Sequence, residues 1–353
     1  MPNKQKQSSG DNSQNIQANN VTIVNGITEE RVRAIIDERL SEVLKGFSQE
    51  ARQTGEERNA VFESDLLPKL IRENILDSLK DPSVQILLAS AQKSAASTER
   101  VQDYSLLSEL LIHRVKKGEN RSVRAGVARA VEVVDKISDE ALVGITLYLA
   151  IVAWCPASGS ISHGLKVLDR LYSKITQGGI LPSGSEWLDH LDILDVIRVT
   201  ISGLGALKKI SQFIPERLSG YIDIGIEKDS ESYSKAMEII KTNNLPNNII
   251  VPHELRDNYF RVNIPNKGAI KDLSISEVQK KAVEEIYGLY STDQTLRAQN
   301  IDKFMQIWDS FSTLKTVKEW WDSIPQGFNI TAVGKVLAHA NAQRCDPTVP
   351  PID

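Results

Sequence analysis

The segment Ala141-Leu-Val-Gly-Ile-Thr-Leu-Tyr-Leu-Ala-Ile-Val-Ala-Trp154 is the most apolar run of the 353-residue chain. It holds 14 residues and ends at Cys155-Pro156, short of the roughly 20 residues that a membrane-spanning helix requires. A helix that is apolar on all sides is typical of the centre of a folded body. The run therefore predicts a buried core helix, with a re-entrant or membrane-lytic segment as the alternative.

Amphipathic patterns surround this core helix on both sides. Apolar residues recur at helical spacing through residues 60–215, where the expected helices include 187–203 and 204–213. Short alternating segments next to prolines then predict strands, at residues 222–226, 248–251 and 259–264, before helices resume near residue 274. The expected fold class is mainly α: a multi-helix body with a small β insertion and a short N-terminal β-strand pair.

Four segments follow from these patterns. They are a leader rich in Asn, Gln and Ser (1–26), an amphipathic oligomerisation helix (27–59), a helical domain (60–215) and an α+β C-terminal domain with an irregular proline-rich tail (216–353). The leader has no apolar run that could serve as the core of a signal peptide. Secretion is therefore not expected, and no membrane span is predicted.

Two short alternating stretches in the leader, Ile16/Ala18 and Val21/Ile23, flank Asn19-Asn20 and predict two small strands about a turn. A disordered tail is the alternative. An isolated pair of such strands is not stable in water, so ordered strands imply pairing with other copies of the chain. The leader is thus expected to take part in assembly.

Thr28 followed by two glutamates predicts a helix start, and the helix is expected to extend to about Ala51. Its apolar stripe packs either on the chain's own body or on the same helix of a second subunit, in a short coiled coil. The predicted oligomerisation residues of leader and helix are Ile16, Val21, Ile23, Val32, Ile36, Leu40 and Phe47.

Composition excludes several classes of protein. The chain carries 42 basic and 46 acidic residues, for a net charge of −4, which is unlike a polycationic nucleic-acid packaging protein. Cys155 and Cys345 are too far apart in sequence for a zinc knuckle or a disulfide framework, so a reducing, cytoplasmic location is expected. Phosphate-loop and nucleophile-elbow motifs are missing from the sequence. No catalytic residue, metal site or cofactor is predicted.

A basic run interrupts this acidic chain between His113 and Arg129. Its lysines and arginines exceed its single glutamate by five, which is typical of a surface that meets phosphates or an acidic partner. The alternative is an ordinary helix corner whose cations complement a helix C-terminus. The candidate nucleic-acid-binding residues are Arg114, Lys116, Lys117, Arg121 and Arg124.

Two clusters resemble metal sites only in part. Asp189, His190, Asp192 and Asp195 fall within seven residues, and the three carboxylates share roughly one side of a predicted helix, which keeps open a cryptic metal-dependent hydrolase. The segment 253–257 begins His-Glu like a helical zinc-protease motif, but an aspartate stands where the second histidine is needed. A capped turn is the expectation there.

The last helix has a readable start. Residues 328–330 are expected to be extended, Thr331 to cap, and residues 332–343 to be helical. The corner Ile330-Thr-Ala-Val-Gly334 resembles the strand-to-helix corner of many winged-helix domains. The proline-rich residues 346–353 are expected to lie extended along a surface.

The leader Gly10-Asp-Asn-Ser-Gln-Asn-Ile-Gln-Ala18, the helical body and the ending Ala338-His-Ala-Asn341-Ala together resemble an uncharacterised family of bacterial helical proteins. Some relatives of that family occur in phage-defence neighbourhoods, and the leader resembles tags that open bacterial defence and signalling proteins. Helical toxin ribonucleases of such loci carry an Arg four to six residues before a His. No histidine of this chain has that spacing, so a helical ribonuclease is disfavoured.

The resulting hypothesis is a non-enzymatic, self-assembling bacterial sensor or scaffold that acts in phage defence. Its expected partners are other copies of the chain, together with a phage component or a second defence protein. The first alternative is a nucleic-acid-binding protein that uses the basic run. The second is the cryptic metal-dependent hydrolase.

Overall fold

A computed structural model describes residues 27–117, 120–177, 179–200 and 206–351 of the chain. The fold class is mainly α, as the sequence predicts, with two small sheets. The predicted leader strands, with Ile16, Val21 and Ile23, lie outside the described residues. None of the helices in the described ranges is long and apolar enough to cross a membrane.

The first part of the chain is a series of helices joined by short turns. Their bounds are α1 Glu29–Val43, α2 Gln49–Arg72, α3 Pro82–Ser97, α4 Val101–Lys116, α5 Arg121–Val133, α6 Asp139–Ala153, α7 Ile161–Thr176 and α8 Glu186–Ile193. Side-chain caps account for most of the starts: Ser138 and Ser160, for example, accept backbone N–H groups of α6 and α7. The apolar run at residues 141–154 is α6, and nearly all of it is buried.

The later part of the chain mixes strands and helices. Its elements are β1 Ile197–Val199, α9 Ile210–Arg217, α10 Ser219–Ile222, β2 Ile226–Glu227, α11 Glu231–Thr242, β3 Ile250–Pro252, β4 Tyr259–Val262, α12 Glu277–Gly288, α13 Gln294–Asp309, α14 Ser312–Ser323, β5 Phe328–Ile330 and α15 Ala332–Cys345. β4 is the centre of an antiparallel three-stranded sheet in the order β2-β4-β3. β1 pairs with β5, and Ile197 lies opposite Ile330.

Three expected elements differ from the structure. The helix expected at 187–203 ends at Ile193, because Asp195 turns the backbone with φ +64° and the following residues pair with β5. The helix expected at 204–213 is α9, which begins only at Ile210. Ile222 belongs to the short helix α10, so the first strand of the small sheet starts later than the alternation predicts.

Two apolar cores account for the packing. The larger core joins α1–α9 to the later helices α13–α15, whose Phe304, Trp308 and Leu337 are fully buried in it. The smaller core lies under the three-stranded sheet and includes Val262 and Val283. The chain therefore leaves the helical body, forms a small α+β unit and returns. The domain boundary at residue 215 stays a prediction.

Helix α15 occupies a central place in the larger core. It packs against α4, α5 and α6, and Asn341 on α15 donates to the Thr146 hydroxyl on α6 at 2.9 Å, with both groups buried. The expected start of this helix is confirmed, because β5 precedes it and Thr331 accepts the N–H of Gly334. The last helix of the sequence thus holds the first half of the fold together.

The N-terminal helix is shorter than the sequence predicts. Thr28 caps α1 as expected, but the helix ends at Val43, and a turn through Gly46 at φ +92° leads to a separate helix, α2. Glycine suits that turn because an L side chain is strained at positive φ. The expected continuous helix to Ala51 is therefore wrong.

The apolar stripe of this region divides between the inside and the surface. Val32 and Ile36 are buried in the larger core, where the buried amide of Gln92 on α3 donates to the Ile36 carbonyl at 2.9 Å. Leu40 is half-buried, and Phe47 in the turn is 49% exposed. For Val32 and Ile36 the structure thus shows packing on the chain's own body, one of the two arrangements that the stripe allows.

Candidate anion-binding site

The basic run lies at the corner between α4 and α5. Two of its five candidate residues form bonds with other parts of the protein. Arg114 is only 7% exposed and donates to the Ser83 hydroxyl at 2.8 Å, so its guanidinium is part of the body. Lys116 forms an ion pair of 2.6 Å with Glu73 on α2, and this partner lowers the pKa of the glutamate. Arg114 is therefore not available as a nucleic-acid contact, which corrects that part of the prediction.

The other three candidates lie at the surface. Lys117 follows the last turn of α4, Arg121 is the first residue of α5, and Arg124 lies one turn further along α5. Within the described ranges, Arg121 and Arg124 have no carboxylate within ion-pair distance. Most other arginines of this chain are paired with acids on their own or a neighbouring helix. Arg121 and Arg124 therefore present their positive charge to solvent.

Folding adds Lys335 to this surface, a residue that the sequence reasoning did not single out. It lies in the first turn of α15, is exposed, and has no acidic partner in the part of the chain that the structure describes. The start of α15 packs closely on α5, because a Cβ on Gly126 would lie only 3.3 Å from the carbonyl oxygen of Ala332. We call the surface formed by Lys117, Arg121, Arg124 and Lys335 the basic face.

A cavity of about 130 Å³ opens in the basic face, where the first turns of α5 and α15 meet the end of α4. Its lining residues are His113, Lys117, Ser122, Val123, Ala332, Lys335, Val336 and His339, and we call it the histidine pocket. Every titratable group among them is basic. The N-terminal turns of two helices contribute partial positive charge at the same place.

The inner part of the pocket is formed by two histidines. The rings of His113 and His339 meet edge to face with their centroids 5.8 Å apart, and Trp154 lies against His339. His339 is 2% exposed, and its Nε2 lies 3.0 Å from the carbonyl oxygen of Pro350, to which it donates. Both Nδ1 atoms are buried, and neither has a hydrogen-bond partner among the described residues.

The surroundings of the two rings favour their neutral forms. Burial, the neighbouring His339 and the Lys117 ammonium lower the pKa of His113 to about 4. Burial also lowers the pKa of His339, which the hydrogen bond to Pro350 opposes. The neutral form of both imidazoles is therefore favoured at pH 7, and each keeps a buried Nδ1 that has no hydrogen-bond partner among the described residues.

A larger groove of about 500 Å³ continues from the pocket between α2, α4 and α15. It shares His113, Lys117 and His339 with the pocket, but carboxylates of Asp65, Glu73 and Glu109 also line it. Two of these carboxylates are near the Lys69 ammonium, at 2.7 Å and 2.9 Å. The groove thus carries carboxylates that are paired with some of its cations, whereas the described lining of the histidine pocket holds cations and no carboxylate.

The acidic cluster on α8 has partners within the body. His190 accepts the backbone N–H of Ser138 at 3.2 Å through Nε2, at the start of α6. Asp195 forms ion pairs with Arg198 at 2.7 Å and Arg129 at 3.1 Å. The described residues contain no group of three or more His, Cys, Asp or Glu side chains that could hold a metal ion. The structure thus offers no support for the metal-dependent hydrolase.

The His253-Glu254 segment forms a turn, as expected, and connects the small α+β unit to the body. The Glu254 carboxylate accepts from the N–H of Ile161 at the start of α7 and from the Arg261 guanidinium, each at 2.8 Å. Arg261 is fully buried and also donates to the carbonyl of Gly159 at 2.6 Å. This network is a structural connection between two parts of the chain.

The fold and site describe a mainly α-helical protein with an exposed basic face and a small cationic pocket. The model of a family described only as "-like" matches residues 26–348, and the chain belongs to that family. No curated protein and no solved structure matches the chain. The expectation of an uncharacterised family is thereby confirmed, and the association with phage defence stays a prediction.

Proposed function

We propose that the chain is a non-catalytic binding protein whose basic face binds a polyanion, with nucleic acid as its partner. The observation that carries this proposal is the surface of Arg121, Arg124 and Lys335, three exposed cations that form no close ion pair within the described ranges, beside two helix N-termini. In a chain of net charge −4, this concentration of unpaired cations is a local exception.

Electrostatics explains why such a surface suits phosphates. Unpaired cations lose no internal ion pair on binding, and contact with a nucleic-acid backbone releases condensed counterions. With three phosphate contacts, the logarithm of the association constant is expected to fall linearly with the logarithm of the salt concentration. The expected slope is roughly −2 for single strands and roughly −3 for duplexes. The buried Arg114 and the ion-paired Lys116 are excluded from that count.

A titration at two salt concentrations tests the proposal. A single-stranded and a duplex oligonucleotide are titrated with the wild type and with a triple variant, Arg121→Glu, Arg124→Glu and Lys335→Glu. The matched control reverses three exposed lysines of the α+β unit, Lys228, Lys241 and Lys281, and changes the net charge by the same amount.

We expect binding that weakens with salt in the wild type and in the control, and loss of binding in the basic-face variant. If both triple variants bind the oligonucleotides equally weakly, the change in net charge alone explains the loss of binding. An absence of binding at low salt would refute the proposal.

The finer proposal concerns the biological setting. We propose that this binding serves a sensor or scaffold role in bacterial phage defence, in the cytoplasm, and that copies of the chain assemble through the N-terminus. Support comes from the leader sequence, the resemblance to a bacterial family and the exposed Phe47 beside half-buried Leu40. Partners then include other copies of the chain and a phage component or second defence protein.

Light scattering on the whole chain and on a chain that begins at Ile27 tests the assembly. The cut belongs at Ile27 because removal of α1 would take Val32 and Ile36 out of the larger core and unfold the body. Assembly through the leader is supported if the whole chain forms a larger particle and the chain that begins at Ile27 does not. Two monomers of the same behaviour would refute it.

A further inference from the structure

The histidine pocket has a chemistry of its own within the basic face. Lys117, Lys335 and two neutral imidazoles surround it, and no carboxylate is among its lining residues in the described ranges. The ionised groups among its described lining residues are cations, and the N-terminal turns of two helices add partial positive charge, so the pocket favours an anion. Its volume of about 130 Å³ has room for one phosphate group and not for a nucleoside.

A second observation is independent of the helix ends. His339 is 2% exposed, yet its Nδ1 has no hydrogen-bond partner in the described part of the chain. His113 has the same unpaired, buried nitrogen, and the two rings are in contact. Buried polar atoms without partners cost free energy in the empty protein, and a ligand that hydrogen-bonds to them removes that cost.

We propose that the histidine pocket binds one terminal phosphate group, and that it selects strand ends with a 5′-phosphate from the polyanions that the basic face attracts. The second clause rests on the proposed function, whereas the binding of phosphate itself does not. A terminal phosphate enters a small pocket as a single group, while an internal phosphodiester would need room for the nucleic-acid strand on both sides of it. Arg121 and Arg124, outside the pocket, are placed to meet the next phosphates of the strand.

The hydrogen-bonding groups of the pocket suit the oxygen atoms of a phosphate group. The Lys117 and Lys335 ammonium groups donate charge-assisted hydrogen bonds, and the Ser122 hydroxyl, which donates to Asn120 Oδ1 at 2.9 Å, leaves its oxygen as an acceptor for a protonated phosphate oxygen. A phosphate oxygen that carries a proton donates to an unpaired imidazole nitrogen, and a bare phosphate oxygen accepts from a protonated one. The pocket therefore serves either protonation state of the phosphate.

The first experiment uses inorganic phosphate as the probe. The protein is labelled with 15N-histidine, and the ring nitrogen resonances are followed during titration with phosphate and, at the same ionic strength, with acetate. We expect the Nδ1 signals of His113 and His339 to shift with phosphate while those of the three other histidines stay in place. Equal shifts with acetate, or no shift with phosphate, would overturn the pocket as a phosphate site.

The second experiment compares one oligonucleotide with a 5′-phosphate and with a 5′-hydroxyl. The variant Ser122→Phe fills the pocket and keeps all four cations of the basic face. Its matched control is Ser234→Phe, at an exposed serine in the first part of α11. Lys335→Gln, which removes one phosphate ligand without adding bulk, is the second pocket variant.

We expect the wild type and Ser234→Phe to prefer the 5′-phosphate by about tenfold or more, as the gain of even one charge-assisted hydrogen bond implies. Ser122→Phe should lower that ratio to about one, and Lys335→Gln should reduce it. Binding of both oligonucleotides with a ratio near one in the wild type would overturn the selection of strand ends and leave the proposed function intact. Phosphate-induced shifts of the two histidines without any oligonucleotide binding would instead overturn the proposed function and leave the phosphate pocket.

Discussion

Truncation of Ile36 to alanine tests whether α1 belongs to the body or to an interface. Ile36 is 2% exposed and lies in the larger core. The substitution removes three carbons, worth about 2.4 kcal/mol at roughly 0.8 kcal/mol for each buried carbon. The cavity left behind adds to this, so we expect a loss of about 2 to 5 kcal/mol in the free energy of unfolding. The hydrogen bond from Gln92 is kept, since it ends on the Ile36 backbone carbonyl.

Urea unfolding followed by circular dichroism and by tryptophan fluorescence measures this loss. The tryptophans lie at the end of α6 and in α8, α13 and α14, so coincident curves show that α1 and the body unfold together. Phe47→Ala is the control: Phe47 is 49% exposed, and its truncation should cost about 1 kcal/mol or less. Unchanged stability of Ile36→Ala, with a change only in particle mass, would refute the reasoning and assign Ile36 to an interface between copies.

Three further predictions concern other parts of the fold. Glu254→Ala should lower the free energy of unfolding by about 2 to 3 kcal/mol, measured in urea, because it takes the carboxylate from the buried Arg261 guanidinium. Gly334→Ala should lower the melting temperature, since its Cβ would lie 2.2 Å from the carbonyl oxygen that precedes β1, whereas Gly288→Ala, with nothing within 4 Å, should not. The His113 pKa of about 4 predicts stability that is full above pH 6.5 and falls by up to about 3 kcal/mol toward pH 4, and His113→Gln should flatten that decline in a series of urea titrations.

Local signals predicted much of the fold. The apolar run of α6, the Thr28 cap of α1 and the Thr331 cap of α15 are where the sequence places them, because each depends on residues within one or two helical turns. An element that depends on a distant partner was missed. This element is β1: its three residues pair with β5, which comes more than a hundred positions later, and local periodicity there favoured a helix.

In the candidate site, too, features with a local sequence signal were predicted and features that depend on distant contacts were not. The basic run between α4 and α5 was visible as a run of charges, since Arg121 and Arg124 are close in sequence. Burial of Arg114 was not visible, because it depends on the Ser83 hydroxyl of another helix. Lys335 gave no local signal at all. Only the contact of Gly126 with the start of α15 brings that lysine to the basic face.

The position of α15 gives the pocket a further property. One helix supplies Lys335 and His339 to the pocket and Asn341 to the buried bond with Thr146 on α6. A ligand that contacts the first turn of α15 therefore acts on an element packed against three core helices, and not on a loose surface segment. His339 also holds the C-terminal segment through Pro350, so a phosphate that reorients the imidazole acts directly on that segment. The histidine pocket and the contact to the C-terminal segment thus share a single side chain, His339.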